Sequence, residues 1–236
     1  MNGLFDLSNK TILLTGGAGL YGKGLAQAIA ASGAQLILAS RNVDALLEVS
    51  EEENAKGYSV TALPLDQANP DSIRDLLQQV LEKFGRIDGL VNNAVSRPML
   101  DLKDPLQAWE ASMQVNATGL FEISRVFAQQ MAEQGSGSIV NIGSIQGMVG
   151  VEPGLYEGTD MSTTPSPDYY FHKGGMLNLT RYLASTYGKQ GVRVNTISPG
   201  GFFNNQPEPF LSRYEAKTML GRMADSTDLG GPVIFL

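Results

Sequence analysis

The 236-residue sequence predicts an α/β fold: a doubly wound parallel sheet with helices on both faces. Three observations carry the prediction. Short apolar runs of buried-strand length recur six times along the chain. Stretches of helical composition separate most of them. The first run ends in a glycine-rich loop that opens directly into a helix.

The first run is Thr11–Thr15, and Gly16 to Gly22 follow it. Gly17, Gly19 and Gly22 fit the spacing G-x-G-x-x-G, and the helical stretch begins at Gly24. Between a strand and a helix, such glycines allow a tight turn and a close backbone approach to a pyrophosphate on the helix N-terminus. Gly16 and Tyr21 belong to the same candidate dinucleotide loop; out of this context it would read as a plain loop. The second strand, Gln35–Ala39, ends at Ser40-Arg41-Asn42. Sites that prefer NAD often place a carboxylate here for the ribose 2′-OH. A hydroxyl and a guanidinium suit a 2′-phosphate instead, so NADP is expected in preference to NAD. The competing reading makes Arg41 a solvated residue at a helix start, stacked on adenine.

A polar helix over 44–56 and a strand at Ser59–Leu63 come next, then Pro64-Leu65-Asp66-Gln67 and a helix from Pro70 to Phe84 stopped by Gly85. Asp66 reads equally as a ligand for the adenine amino group and as a turn former beside Asn69-Pro70, and Gln67 joins the same candidate cofactor wall. The fourth strand, Ile87–Ala94, ends in Asn92 and Asn93, amides that can tie neighbouring strands or make a turn; Asn93 and Ala94 are candidate cofactor contacts. Residues 108–132 form a long amphipathic segment in which Asn116 is an unusual polar choice and Gly119 suggests close helix packing.

The fifth strand, Ser138–Ser144, puts Ser144 at its carboxyl end, where open parallel sheets bind ligands. The excursion over about 148–167 has no period and reads as a disordered surface insert or a lid. A helix then carries Tyr169 and Lys173 on to about Tyr187, and the sixth strand, Gly191–Ile197, closes with Ser198-Pro199-Gly200-Gly201. Phe202-Phe203-Asn204-Asn205-Gln206-Pro207 opens a substrate loop over about 201–220 whose aromatic and amide content suits a polar ligand. Gln146, Tyr156, His172, Phe202 and Phe203 are the candidate substrate contacts. A last short helix near Thr227–Phe235 tolerates Pro232 only in its first turn. With no repeat, linker or low-complexity tract, residues 1–236 read as a single domain.

Tyr169 and Lys173 stand four apart and so share one helix face. An ammonium near a phenol favours the phenolate, and such a phenol can give a proton to a carbonyl oxygen or take one from an alcohol. Alone, such a pair usually just packs. Its weight comes from the glycine loop, the amide pair and Ser144 upstream.

Composition narrows the classes. The chain has no cysteine, which excludes thiolate metal sites, cysteine nucleophiles and disulfides, and fits a cytoplasmic protein. His172 is its only histidine, so no metal site and no Ser-His-Asp triad is expected, and its place suggests packing or substrate contact. A net charge of −7 argues against nucleic acid and anionic membranes as partners. There is no apolar run of membrane-spanning length and no signal-peptide pattern at the start.

Taken together, the glycine loop, Asp66, Asn92-Asn93-Ala94, Asn116, Ser144, Tyr169-x-x-x-Lys173 and Ser198-Pro199-Gly200 resemble the short-chain dehydrogenase/reductase family in content and order. The resemblance implies a Rossmann-type fold with Asn116, Ser144, Tyr169 and Lys173 as the catalytic set. Tyr169 would be the general acid/base and Ser144 would bond the substrate oxygen. Lys173 would hold the nicotinamide ribose and tune the phenol, and Asn116 would hold a helix bend and a relay water. Pro199, Gly200 and Gly201 would complete the cofactor site. A homo-oligomer, tetramer or dimer, would build on the long helices near 108–132 and 168–187. Four departures stand out: Leu20 in the glycine loop, Val95 after Ala94, the excursion before Tyr169, and an end at Leu236 ahead of the family's last strand. The last suggests truncation or a disordered tail. The expected reaction is NADP-linked interconversion of a ketone and a secondary alcohol on a small polar substrate such as a sugar or sugar acid. A 3-oxoacyl thioester or a steroid is the alternative substrate. A catalytically silent dinucleotide-binding scaffold is the rival from another class.

Overall fold

The structure is a computed structural model and describes Gly3 and residues 5–236. Six strands form one sheet: β1 (Thr11–Thr15), β2 (Gln35–Ser40), β3 (Ser59–Pro64), β4 (Gly89–Asn92), β5 (Gly137–Ile142) and β6 (Val192–Ile197). Their order is β3-β2-β1-β4-β5-β6, and every pairing is parallel. The predicted doubly wound sheet is therefore present, with β6 at one edge. The chain leaves β1 towards β2 on one side and returns to β4 on the other, so β1 and β4 flank the switch point where such sheets bind ligands.

Side-chain alternation divides the core. Ile12, Leu14, Leu36 and Leu38 face α1 (Leu20–Ala31) and α2 (Val43–Ala55), and Leu229 and Val233 of the chain's final segment join that layer. Leu13, Ile37 and Leu63 face the opposite way, against Ile73 and Leu76 of α3 (Pro70–Phe84). The period-2 pattern of each strand thus feeds two layers, as a sheet covered on both faces requires.

The long segment after β4 is α4 (Leu106–Met113), a π-turn at Gln114–Gly119 and α5 (Leu120–Glu133) in unbroken succession. Gly119 was expected to mark close helix packing. Its near neighbour is instead the backbone carbonyl of Gln67 in the loop after β3, which any side chain at 119 would strike. Ile123, Phe127 and Met131 of α5 and Leu183 of α6 (Pro167–Tyr187) complete the second core layer.

Asn92 and Asn141, at the middle of the sheet, are buried amides that would be costly if unpaired. Asn92 Nδ2 donates to Asn141 Oδ1 at 2.8 Å and to Ser124 Oγ at 3.1 Å. Asn141 Nδ2 donates to Thr180 Oγ1 at 2.8 Å, and Thr180 meets Thr196 Oγ1 at 2.7 Å. This polar chain links β4, β5, α5, α6 and β6.

The excursion before Tyr169 folds against α7 (Phe210–Glu215). Tyr156 packs on Phe210 with ring centroids 5.2 Å apart, and Met223 joins them. Arg213 donates to the carbonyls of Gly154 and Glu157, and Lys217 pairs with Glu152 at 2.6 Å. Ser162 and Thr164 bond Asp101, beside a bridge between Asp101 and Pro165. The last helix, α8 (Gly230–Phe235), holds Pro232 in its first turn, as predicted. No described helix is long and apolar enough to cross a membrane.

Candidate active site

A cleft of about 820 Å³ runs along the carboxyl ends of the strands. One half is built from backbone at those ends. Gly16 turns the chain with φ of +68°, in the left-handed region that favours glycine, and a side chain at Gly22 would strike the Gly16 carbonyl. The loop is stapled to β4 from below. Thr15 Oγ1 accepts from the backbone N–H groups of Asn93 and Ala94, each at 3.0 Å, while Asn93 Nδ2 donates to the carbonyls of Thr15 and Gly16. Gly16, Gly19 and Tyr21 line this half, with Ser40, Arg41, Asp66 and Gln67 further along.

Several of these groups fit a dinucleotide. The loop brings bare backbone to the N-terminus of α1, and Gln67 Oε1 is a buried acceptor with no partner among the described residues. Asp66 serves as the turn former, its Oδ1 accepting from Ala68 N–H at 3.0 Å, and it lines the cleft as well. Arg41 is exposed at the rim beside Ser40, whose hydroxyl donates to the Asn42 carbonyl.

The other half meets the first at Tyr169. Ser144, at the end of β5, Tyr169 and Lys173 all line the cleft there. Ser144 Oγ accepts from Gln146 N–H at 3.1 Å. Lys173 is only 4% exposed and donates to the Ile142 carbonyl at 2.6 Å. Burial, and then the charge of Arg97, push its pKa down to about 7. Its Nζ lies 5.5 Å from the Tyr169 ring centroid, and the Arg97 guanidinium lies 4.7 Å from the same ring. Two basic side chains therefore lie close to the phenol ring.

Asn116 does not reach the cleft. It sits in the π-turn, 3% exposed, and clamps the loop after β4: Oδ1 accepts from Ser96 N–H at 2.9 Å and Nδ2 donates to the Ser96 carbonyl at 2.7 Å. Nδ2 also donates to Ser112 Oγ at 2.9 Å, and Ser112 donates in turn to the buried Asp168, next to Tyr169.

The family model for short chain dehydrogenases matches residues 10–206. The chain belongs to that family. The short-chain dehydrogenase is 32% identical over 98% of its length to a 3-oxoacyl-[acyl-carrier-protein] reductase of Synechocystis, of which the match covers 90%. Its fold superposes with a TM-score of 0.86 on a gluconate 5-dehydrogenase from Burkholderia cenocepacia solved with NADP and tartrate, at 26% identity, covering 98% of this chain and 89% of that one. An NAD⁺-bound xylitol dehydrogenase gives 0.85 at 25% identity, covering 98% and 92%. Like them, this short-chain dehydrogenase is an NAD(P)-dependent oxidoreductase acting on CH–OH groups.

Not every residue singled out from the sequence lies in the cleft of this dehydrogenase. Gly16, Gly19, Tyr21, Ser40, Arg41, Asp66, Gln67, Asn93, Ala94, Pro199, Gly200 and Gly201 line it, as do Gln146, Tyr156 and Phe202. Gly17 packs beneath the loop against Leu38, and Gly22 supports Gly16. His172 is not a cleft residue. It is buried edge-to-face behind Tyr169 at 5.2 Å, and burial, followed by the charges of Lys173 and Arg97, lowers its pKa to about 3, so it is a neutral packing group. Phe203 points outward, 45% exposed, because the bridge of Phe202 to Ala224 turns alternate side chains to opposite sides. Phe202 instead meets Tyr21 edge-on at 4.8 Å.

Sequence reasoning passed over Thr15, Arg97, Tyr170 and Tyr214. Tyr170 accepts from Gln146 Nε2 at 3.0 Å, and Tyr214 accepts from Gly201 N–H at 2.6 Å. Only Arg97 carried a signal, as a charge placed just past a strand's carboxyl end. The insert turns apolar side chains to the cleft: Val149, Leu155 and Met161 line it, while Glu152 is paired with Lys217.

Proposed function

We propose that the protein interconverts a ketone and a secondary alcohol with Tyr169 as the general acid/base. The observation that carries this is the convergence of Ser144, Tyr169 and Lys173 on one wall, next to the stapled glycine loop. Tyr169 gives its proton to the carbonyl oxygen in reduction and takes it back in oxidation. Ser144 bonds the same oxygen and holds it at the phenol. Lys173, whose pKa lies near 7, supplies positive charge beside the ring. Asn116 acts at a distance, by fixing Ser96 and the helix that faces it. A nicotinamide held by the Gly16–Gly22 loop, Asn93 and Pro199–Gly201 supplies or accepts the hydride when bound.

Arg41 and Ser40 in place of a carboxylate support NADP over NAD. The amide of Asn204 in the cleft, on a turn held by Gln206, supports a small polar substrate, of the sugar or sugar-acid kind that the gluconate and xylitol dehydrogenases take. Leu155, Met161 and Met223 favour a second reading, a 3-oxoacyl thioester such as the Synechocystis relative reduces. We read residues 1–236 as one domain, 148–167 as a substrate lid and 201–220 as its counterpart. The protein is read as a cytoplasmic homo-oligomer.

Replacing Tyr169 with Phe should lower kcat by roughly 10²–10⁴-fold while NADPH fluorescence titrates as in the wild type; undiminished turnover removes the mechanism. Replacing Arg41 with Ala should weaken NADPH by about tenfold or more and leave NADH nearly unchanged. Equal losses for both cofactors would return Arg41 to an adenine-stacking role.

A further inference from the structure

We infer that the substrate carries an anionic group, a carboxylate or a phosphate, close to the reacting carbon, and that Arg97 is the residue that receives it. The inference rests on the ketone–alcohol reading and names the substrate class of that site.

Arg97 lines the cleft and lays its guanidinium on the Tyr169 ring at 4.7 Å. Stacking occupies the flat face of a guanidinium and leaves its N–H edge free for a planar anion. No carboxylate among the described residues pairs with that edge, although the chain carries 24 Asp and Glu against 17 Lys and Arg. Four of the nine arginines, Arg74, Arg86, Arg125 and Arg222, make ion pairs, and Arg97 is one of those that do not among the described residues.

The position of Arg97 is also built. Asn116 grips both backbone groups of Ser96, and Met99 is buried on the other side, so the chain at Arg97 is anchored before and after. The grip comes from the π-turn, which places a buried amide at this loop rather than on the sheet.

Charge balance points the same way. Among the other ionised side chains of the substrate half, Glu152 and Lys217 neutralise each other at 2.6 Å. Lys173 is buried beneath the phenol, where its charge serves the Tyr169 ring and its ammonium donates to the Ile142 carbonyl. Arg97 is left as the solvent-exposed cation of this half with no carboxylate partner among the described residues. In a protein of net charge −7, the overall field repels anions, and a local cation is what an anionic substrate needs. A neutral polyol gains little from it.

The test is a panel of matched pairs, each a keto sugar and the keto acid or sugar phosphate of the same carbon number, assayed with NADPH and NADH. The wild type should favour the anionic members by about tenfold to a hundredfold in kcat/KM, the worth of a charge-assisted hydrogen bond. Arg97→Gln should collapse that ratio towards one, with Arg97→Lys retaining part of it. The carboxylate and phosphate arms separate the two sources of charge. An unchanged ratio in Arg97→Gln, or a wild type that prefers neutral members, overturns the inference. If no pair turns over, thermal shift of the NADP⁺-saturated protein decides. Malonate or inorganic phosphate should stabilise the wild type more than Arg97→Gln, with malonamide as the neutral control, and equal shifts in both proteins overturn it. Turnover surviving in Tyr169→Phe removes the ketone–alcohol reading itself. Inactive Tyr169→Phe with unaltered charge selectivity in Arg97→Gln removes this inference alone.

Discussion

The two halves of the cleft are made of different material. The dinucleotide half is backbone: strand ends, a loop of glycines, and a staple in which Thr15 and Asn93 satisfy main-chain groups. The substrate half is side chains brought from far apart in sequence, such as Tyr156 on Phe210 and Glu152 on Lys217. The first half inherits the rigidity of the sheet. The second is held by a small apolar cluster and exposed ion pairs, contacts that open with little disturbance of the core. One scaffold can thus keep a fixed cofactor geometry while its substrate wall varies.

The sharpest way to break this contrast is at the staple. Thr15→Val strands two backbone N–H groups at a fully buried position, at roughly 1–3 kcal/mol each. Thermal denaturation should show the loss, and the Kd for NADPH should rise while substrate KM at saturating cofactor stays put. A KM that rises in step would mean the halves are not separable.

Lys173 sits at the junction and should leave a signature in pH. In the unfolded chain it holds its proton to about 10.5, in the fold only to about 7. Between those values the unfolded state binds more protons, so this group makes stability rise with pH; below about 7 the cost of burying the ammonium is borne in full. Lys173→Met should flatten the stability–pH profile of the cofactor-free protein between pH 7 and 9 by up to about 1.4 kcal/mol per pH unit. A profile with the same slope as the wild type would remove the buried-ammonium account.

The smallest effect belongs to the outer latch. Glu152 and Lys217 are each about half exposed, 53% by side chain, and such pairs contribute about 0–1 kcal/mol. Glu152→Gln should leave the melting temperature and NADPH binding almost unmoved and raise substrate KM a few-fold, more at low salt than at high. A cofactor effect larger than the substrate effect would reverse the assignment of the halves.

The same contrast explains what could be read from the sequence. The six strands and the glycine loop were legible because backbone geometry demands particular residue types at fixed spacing: Gly16 for a positive φ, alternating Leu13 and Leu14 for two core layers. Tyr169, Lys173 and Ser144 were legible because helix periodicity and strand polarity place them. The substrate wall was not. Nothing local says that Tyr156 will meet Phe210, or that Glu152 will be neutralised 65 residues downstream by Lys217. His172 reads from the sequence as either packing or substrate contact, because its place in the turn between Tyr169 and Lys173 fits both; in the fold the ring tucks behind the phenol and packs. Gly119 was read correctly as a close approach and assigned the wrong neighbour, since the π-turn that presents it to Gln67 has no composition of its own.

That π-turn splits the segment from Leu106 to Glu133 into two reading frames. An ordinary helix advances about 100° per residue, and a turn with one extra residue offsets everything beyond it by about that angle. Within it, Asn116 reaches the loop that carries Arg97, backed by Ser112 one turn earlier; past it, Ile123, Phe127 and Met131 are in phase with the sheet. Deleting a single residue between 114 and 119 would mend the helix and leave one of those two faces rotated away from its partner.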